Sequence, residues 1–174
     1  MPDMGYISGV FFDKLLRTLA NNVVAINMRS VKWSNVPIPE SHIVPLVVGV
    51  ALHIWLPLRL FESEWLKHIF GWPLVLLGGL YAAWAVVTVS DVEISRPPRI
   101  IDTGPYTFSR NPMYVAWTVI YVGTAMLVNT WWLVVFLPVV IVFMHGAVRR
   151  EERQLESRFG EEYRQYCERV RRYL

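Results

Sequence analysis

The chain has a single cysteine among its 174 residues, Cys167. One cysteine excludes an internal disulfide and offers no spacing suggestive of a zinc or iron–sulfur site. There is also no internal repeat, no glycine-rich phosphate loop and no G-x-S-x-G elbow, so the usual signatures of soluble nucleotide-binding and hydrolytic enzymes are missing. Residues 1–40 hold no apolar run of signal-peptide type, and the N-terminus is expected to stay uncleaved in the cytoplasm. Charge is scarce: 18% of residues are charged against 54% hydrophobic, with eight Trp. That balance is too apolar for a soluble domain of this size and points to a membrane protein with no nucleic-acid partner.

Four segments are long enough, or nearly so, to cross ~30 Å of hydrocarbon. They run from Ile43 to Leu60, Phe70 to Val89, Pro112 to Val128 and Trp131 to Val148. Only Asn129 and Thr130 separate the last two, which must therefore form an antiparallel hairpin. Of the 17 Lys and Arg, four precede the first span (Lys14, Arg17, Arg29, Lys32), three lie between the second and third (Arg96, Arg99, Arg110), eight follow the fourth, and only Arg59 and Lys67 fall on the other side. The positive-inside rule then makes both termini and the loop from Ser90 to Asn111 cytoplasmic. Apolar residues at helical spacing from Phe11 to Ile26, with Lys14 and Arg17 between them, predict either an interfacial helix on the inner leaflet or an extra helix packed on the bundle. Ser34 to Glu40 is a proline-containing connector. The expected fold is an all-α membrane bundle of about four spans, with an interfacial segment at 1–40, the first two spans at 41–89, and a core at 90–174 that ends in a cytoplasmic helical tail.

Two polar segments bracket the hairpin. In the first, Gly104 and Pro105 predict a turn that brings Tyr106 back over the site. Asn111 is placed as the N-cap of the third span and Pro112 at its first position. The exposed N–H groups and positive dipole end of that span would favour an anionic group such as a ligand carboxylate, unless this is only an ordinary capped helix. In the second segment the helix runs on through Arg149, Arg150, Glu151 and Glu152 and stops at Phe159 and Gly160. A further helix from Glu161 to Arg172 would set Tyr163, Tyr166, Val170 and Tyr173 on roughly one face. Arg164, Arg169, Arg171 and Arg172 are expected to face solvent or headgroups and to attract anionic lipid. A carboxylate of the Glu151–Glu152 pair can take a ligand's ammonium or hydroxyl groups, and Arg149 or Arg150 an acceptor's carboxylate; the alternative is ion pairing within the helix. His53 and His145 fall inside spans, where a neutral ring bonded to a neighbouring helix competes with a functional role. Asp91 and Glu93 can be solvated or line the site.

As a set, Gly104-x-Tyr106, Arg110-Asn-Pro-Met-Tyr114, the hairpin, and Glu151-Glu152-x-x-Leu155-x-x-x-Phe159-Gly160-x-x-Tyr163-x-x-Tyr166 resemble the isoprenylcysteine carboxyl methyltransferase family, a group related to phospholipid N-methyltransferases. The resemblance covers residues 90–174. It implies an integral, multi-pass membrane enzyme with S-adenosylmethionine as methyl donor and S-adenosylhomocysteine as product. By matched position, cofactor contacts would fall on Pro98, Arg99, Ile100 and Ile101, on Gly104 and Tyr106, on Asn111, Pro112, Met113 and Tyr114, and on Glu151 or Glu152. A lipophilic acceptor would enter from the bilayer, oriented by Arg149 or Arg150, with Glu152 or His145 as base if the acceptor is an amine or thiol; Tyr106 and Tyr114 would face the sulfonium. The family often carries His at the position of Asn111 and, in some members, at that of Pro98. Its acceptor-holding arginine coincides with Ala147. An isoprenylcysteine carboxylate, a phospholipid amine and a thiol are all acceptors compatible with this reading. A sterol-reductase-like enzyme using NADPH and a non-enzymatic membrane scaffold are the rivals. No metal is expected to take part, and oligomeric state is not indicated.

Overall fold

A computed structural model describes residues 40–90, 92 and 97–174. The expected interfacial helix at Phe11 to Ile26, most of the connector, Asp91 and Glu93 lie outside the described residues. Those described form five α-helices: α1 (Glu40–Trp55), α2 (Glu64–Thr88), α3 (Pro112–Val128), α4 (Trp131–Phe159) and α5 (Glu161–Arg169), with a 3₁₀ turn at Gly104–Thr107. No strand occurs among them beyond one isolated parallel bridge between Ser109 and Arg171.

Several boundaries depart from the sequence expectation, and α1 already opens at Glu40 rather than Ile43. The first span ends at Trp55 rather than Leu60, just ahead of Pro57, which has no N–H to donate and disfavours the helical conformation at Leu56. The second begins at Glu64, where a carboxylate in the first turn complements the helix dipole. The last helix stops at Arg169, not Arg172, since the following residues are drawn out straight: Arg110 N–H donates to the Arg171 carbonyl at 2.9 Å. The third span matches at both ends. Pro112 opens it, and Asn129 closes it in the left-handed conformation at φ 59°. Thr130 then caps α4 by accepting from Trp132 N–H at 3.2 Å.

The four long helices alternate in direction. At one end of the bundle the α1–α2 loop is stitched to the hairpin turn: Asn129 Nδ2 donates to the Phe61 carbonyl at 2.9 Å, and Phe61 N–H donates to Asn129 Oδ1 at 2.8 Å. Helices α2 and α3 approach with little side chain between them. A Cβ on Gly123 would lie 2.9 Å from Val75 N and 3.0 Å from the Gly71 carbonyl, and one on Gly78 would lie 2.9 Å from the Ala116 carbonyl. Small residues at such a seam let van der Waals packing substitute for the hydrophobic effect, which is absent between helices in lipid. Helix α1 packs on α4, with Leu46 against Tyr121, Leu133 and Val140.

Two helices, α2 (25 residues) and α4 (29 residues), are long and apolar enough to cross a membrane; α1 and α3 are shorter apolar helices. Large apolar side chains point outward along the bundle, including Val47, Ile54, Trp65, Ile69, Trp72, Leu76, Leu80, Val135, Val142 and Phe143. Such a belt is stable against hydrocarbon and not against water. At the opposite end from the Phe61–Asn129 stitch, the 3₁₀ turn, the upper part of α4 and α5 gather into a polar head.

Candidate active site

The polar head is assembled from the segment ahead of α3 and from α4 and α5 behind it. Its turn needs glycine: Gly104 sits at φ 58°, and a Cβ there would fall 2.5 Å from Thr88 Oγ1. Pro105 is buried behind it, and Tyr106 turns back as expected. The Tyr166 hydroxyl donates to the Tyr106 carbonyl at 2.7 Å, which ties the turn to α5. Tyr163, Tyr166 and Val170 form the small core under the head, packed by Ile100, Leu155, Phe159 and Cys167. Tyr173, expected on the same face, instead meets His145, whose Nδ1 lies 2.9 Å from its hydroxyl oxygen. His145 is thus a partnered histidine, whereas the buried Nδ1 of His53 has no partner among the described residues.

Asn111 stands at the N-cap position of α3 but does not cap it. Its Nδ2 donates instead to the Arg172 carbonyl at 3.1 Å and to Glu152 Oε1 at 3.4 Å. Glu152 is the buried carboxylate of the pair, 8% exposed. Its Oε2 accepts from Arg172 Nε at 2.8 Å, and Arg110 Nη1 lies 3.5 Å from Oε1. A carboxylate in this position is stable only because it is multiply paired. Arg172 is therefore not one of the solvated tail charges that the sequence suggested. Its backbone and side chain both serve the head, because residues 170–173 run alongside Ser109 and Asn111. Arg110 also donates to Cys167 Sγ, while its buried Nε has no partner among the described residues.

Glu151 points elsewhere. Tyr114 O–H donates to its Oε1 at 2.6 Å. Partial burial against the cavity wall holds this carboxylate's pKa above the ordinary value, with the Tyr114 hydrogen bond pulling in the other direction. Burial, with Glu151 and Tyr81 nearby, pushes the Tyr106 phenol up to about 12, so it remains neutral.

These groups enclose a cavity of about 460 Å³, within the range of small-molecule sites. Arg99, Ile100, Ile101, Tyr106, Asn111, Pro112, Met113, Tyr114, Glu151 and Glu152 all line it. Of the sequence candidates, Pro98, Gly104, Arg149 and Arg150 do not. Arg149 and Arg150 are exposed outside this cavity, and neither forms an ion pair within the helix. Sequence reasoning did not assign Pro97, Arg110, Gln154, Leu155, Arg158, Tyr163 and Tyr166, which complete the lining. Arg110 directly precedes the Asn-Pro pair, and Leu155, Arg158 and Gln154 follow Glu151 at helical spacing on α4. Those offsets were the available signal.

Residues 66–162 match the family model described as Phospholipid methyltransferase. Protein-S-isoprenylcysteine O-methyltransferase B of Arabidopsis thaliana is 28% identical over 117 residues, which are 63% of this chain and 59% of the plant protein. An uncharacterized protein of Haemophilus influenzae is 40% identical over 60 residues, 34% of this chain and 86% of that protein. The solved structure of the eukaryotic intramembrane Ras methyltransferase ICMT (isoprenylcysteine carboxyl methyltransferase) superposes with a TM-score of 0.59 at 24% identity, covering 74% of this chain and 49% of that one. The all-helical membrane fold is thus shared, while the chain spans only about half to three-fifths of these two methyltransferases.

Proposed function

This chain belongs to the phospholipid methyltransferase family, and on that premise we propose that it transfers a methyl group from S-adenosylmethionine to a lipophilic acceptor at the cytoplasmic face of a membrane. The observation that carries the reading is the cavity itself, built from the two segments that flank the hairpin and opening beside an apolar bundle. Bound there, S-adenosylmethionine would supply an electrophilic methyl on a sulfonium, displaced in line by the acceptor. The protein's part is alignment and exclusion of water.

The residues present fit that ligand. Glu151 offers a carboxylate to an ammonium or to hydroxyl groups, and Tyr106 and Tyr114 offer aromatic faces to a cation. Ile100, Ile101, Met113 and Leu155 give apolar walls for a flat ring. Glu152 is already held by Arg110 and Arg172, so it positions Asn111 and the tail, and Glu151 is the carboxylate left for ligands. Pro98, Gly104, Arg149 and Arg150 support the site from outside the cavity or not at all.

Acceptor chemistry turns on the same lining. An isoprenylcysteine carboxylate, suggested by the plant relative's name, would have to be held by Arg99 or Arg158, because Arg149 and Arg150 stand elsewhere. For a phospholipid amine or a thiol the nucleophile loses a proton, and Glu151, where the cofactor does not engage it, is the cavity-lining carboxylate that can take it.

Isothermal titration of the detergent-solubilised protein with S-adenosylhomocysteine tests the cofactor assignment. Saturable binding is expected, weakened at least tenfold in an Asn111→Ala, Tyr114→Ala variant, since each substitution removes a hydrogen bond worth ~1 kcal/mol. Binding of NADPH with none of S-adenosylhomocysteine would transfer the site to the reductase-like reading, and binding of neither would leave a scaffold.

A further inference from the structure

A second cavity, of about 470 Å³, backs onto the first across Glu152, Arg110 and Tyr163. Its lining is dominated by charge: five arginines and three glutamates, with Tyr163 and Cys167. Two of the three acids are paired, while the exposed Glu168 forms no ion pair with a described residue. Glu152 is held by Arg110 and Arg172, and Glu156 Oε1 lies 3.1 Å from Arg164 Nε. Arg149 and Arg153 likewise form no ion pair with a described residue, and Arg153 uses only its Nε, donating to the Arg149 carbonyl at 3.2 Å. One helical turn apart on α4, they present two adjacent guanidinium forks of the kind that hold phosphate oxygens.

The same stripe of α4 continues downward as hydrocarbon. Val135, Val142, Arg149 and Glu156 recur every seven residues, with Arg153 between the last two, so all lie near one line along the helix. Val135 is 59% exposed and Val142 69% exposed. An apolar strip facing outward that ends in two unpaired arginines has the layout of a lipid: acyl chain below, anionic headgroup above.

We propose that this second cavity binds a phosphate group, held by Arg149 and Arg153, and that an anionic phospholipid at the rim of the bundle supplies it. The site is separate from the cofactor cavity, and the inference stands whether or not the methyl-transfer reading holds. Its wall is shared, however, so a headgroup seated there braces the Arg110–Glu152–Arg172 cluster from behind.

The test is a titration of the 174-residue protein in detergent with dihexanoyl phosphatidylglycerol, kept below its micelle concentration, with dihexanoyl phosphatidylcholine and inorganic phosphate as parallel arms. Phosphatidylglycerol is expected to bind saturably. Arg149→Gln with Arg153→Gln should weaken it about 25-fold, roughly fivefold per guanidinium. The charge-keeping pair Arg149→Lys, Arg153→Lys should restore most of that loss. Arg169→Gln with Arg171→Gln removes the same charge from exposed residues outside both cavities, where salt screens it, and should change the affinity less than about twofold. Equal losses in the two Gln pairs would reduce the site to diffuse attraction and overturn the proposal. So would equal binding of phosphatidylcholine, or absence of saturable phosphatidylglycerol binding in protein whose melting transition is intact. Inorganic phosphate binding as tightly as the lipid, and lost in the same Gln pair, would keep the phosphate site and overturn the lipid as its source.

Discussion

Both Nε and Nη2 of Arg172 reach one oxygen of Glu152, each at 2.8 Å. The carboxylate sits on α4, in the wall between two cavities, while the guanidinium comes from an extended segment after the last helix. Removing it should cost more than an exposed ion pair would, because Glu152 is buried and retains only Arg110 and Asn111 as partners. For Arg172→Ala we expect a loss of ~1–3 kcal/mol in stability, together with weaker S-adenosylhomocysteine binding. Thermal melting and titration on the same sample check both, and unchanged melting would mean that the pair is dispensable.

Glu151 should make stability fall as pH rises. Its folded pKa lies above its ordinary value of 4.5, so the folded state favours the protonated acid. That contribution is complete below the unfolded pKa and is lost as pH climbs through the folded one. Glu151→Gln, which cannot ionise, should therefore match wild type in melting below about pH 4.5 and become the more stable of the two towards neutrality. A difference that shrinks as pH rises would contradict the assignment.

The α2–α3 seam should tolerate no added methyl. Gly123→Ala places a Cβ against the backbone of Val75 and Gly71, and overpacking of this kind costs ~1–3 kcal/mol. Gly146→Ala on α4 meets nothing within 4 Å and should gain up to ~1 kcal/mol from helix propensity. Opposite shifts in the melting temperature of the two variants are the expected result.

The proposed orientation rests on the arginine distribution. A reporter fused after Leu174 should be accessible only from the cytoplasm, and one inserted at Glu62 in the α1–α2 loop only from outside. The reverse pattern would place the cavity on the other face of the membrane.

Local punctuation made the hairpin legible: Asn111-Pro112 opens α3, and Asn129 and Thr130 turn it into α4, because those residues restrict the backbone within a few positions. Trp55 was missed as the end of α1 although Pro57 announces it; apolar content masked the break. The end of α5 could not be read at all, since what stops the helix is a hydrogen bond to Arg110, from a segment on the other side of the hairpin. Adjacent residues on a helix point ~100° apart, so one of Glu151 and Glu152 had to face away, but only the positions of Arg110, Arg172 and Tyr114 decide which is buried. The tail arginines looked alike in sequence. Arg172 differs because the chain there is extended and its side chain folds back onto Glu152.

Contacts that close the head join residues 60 to 63 positions apart, among them Tyr106 with Tyr166 and Ser109 with Arg172. The whole α3–α4 hairpin lies between them. Loop closure over such a distance is slow and comes late unless the intervening chain is already ordered. Insertion of the hairpin should therefore set the order of assembly: once both polar segments stand at one membrane surface, the extended residues 170–173 can close the cavity. Agents that disturb hairpin insertion should abolish ligand binding without touching any residue that lines the cavity.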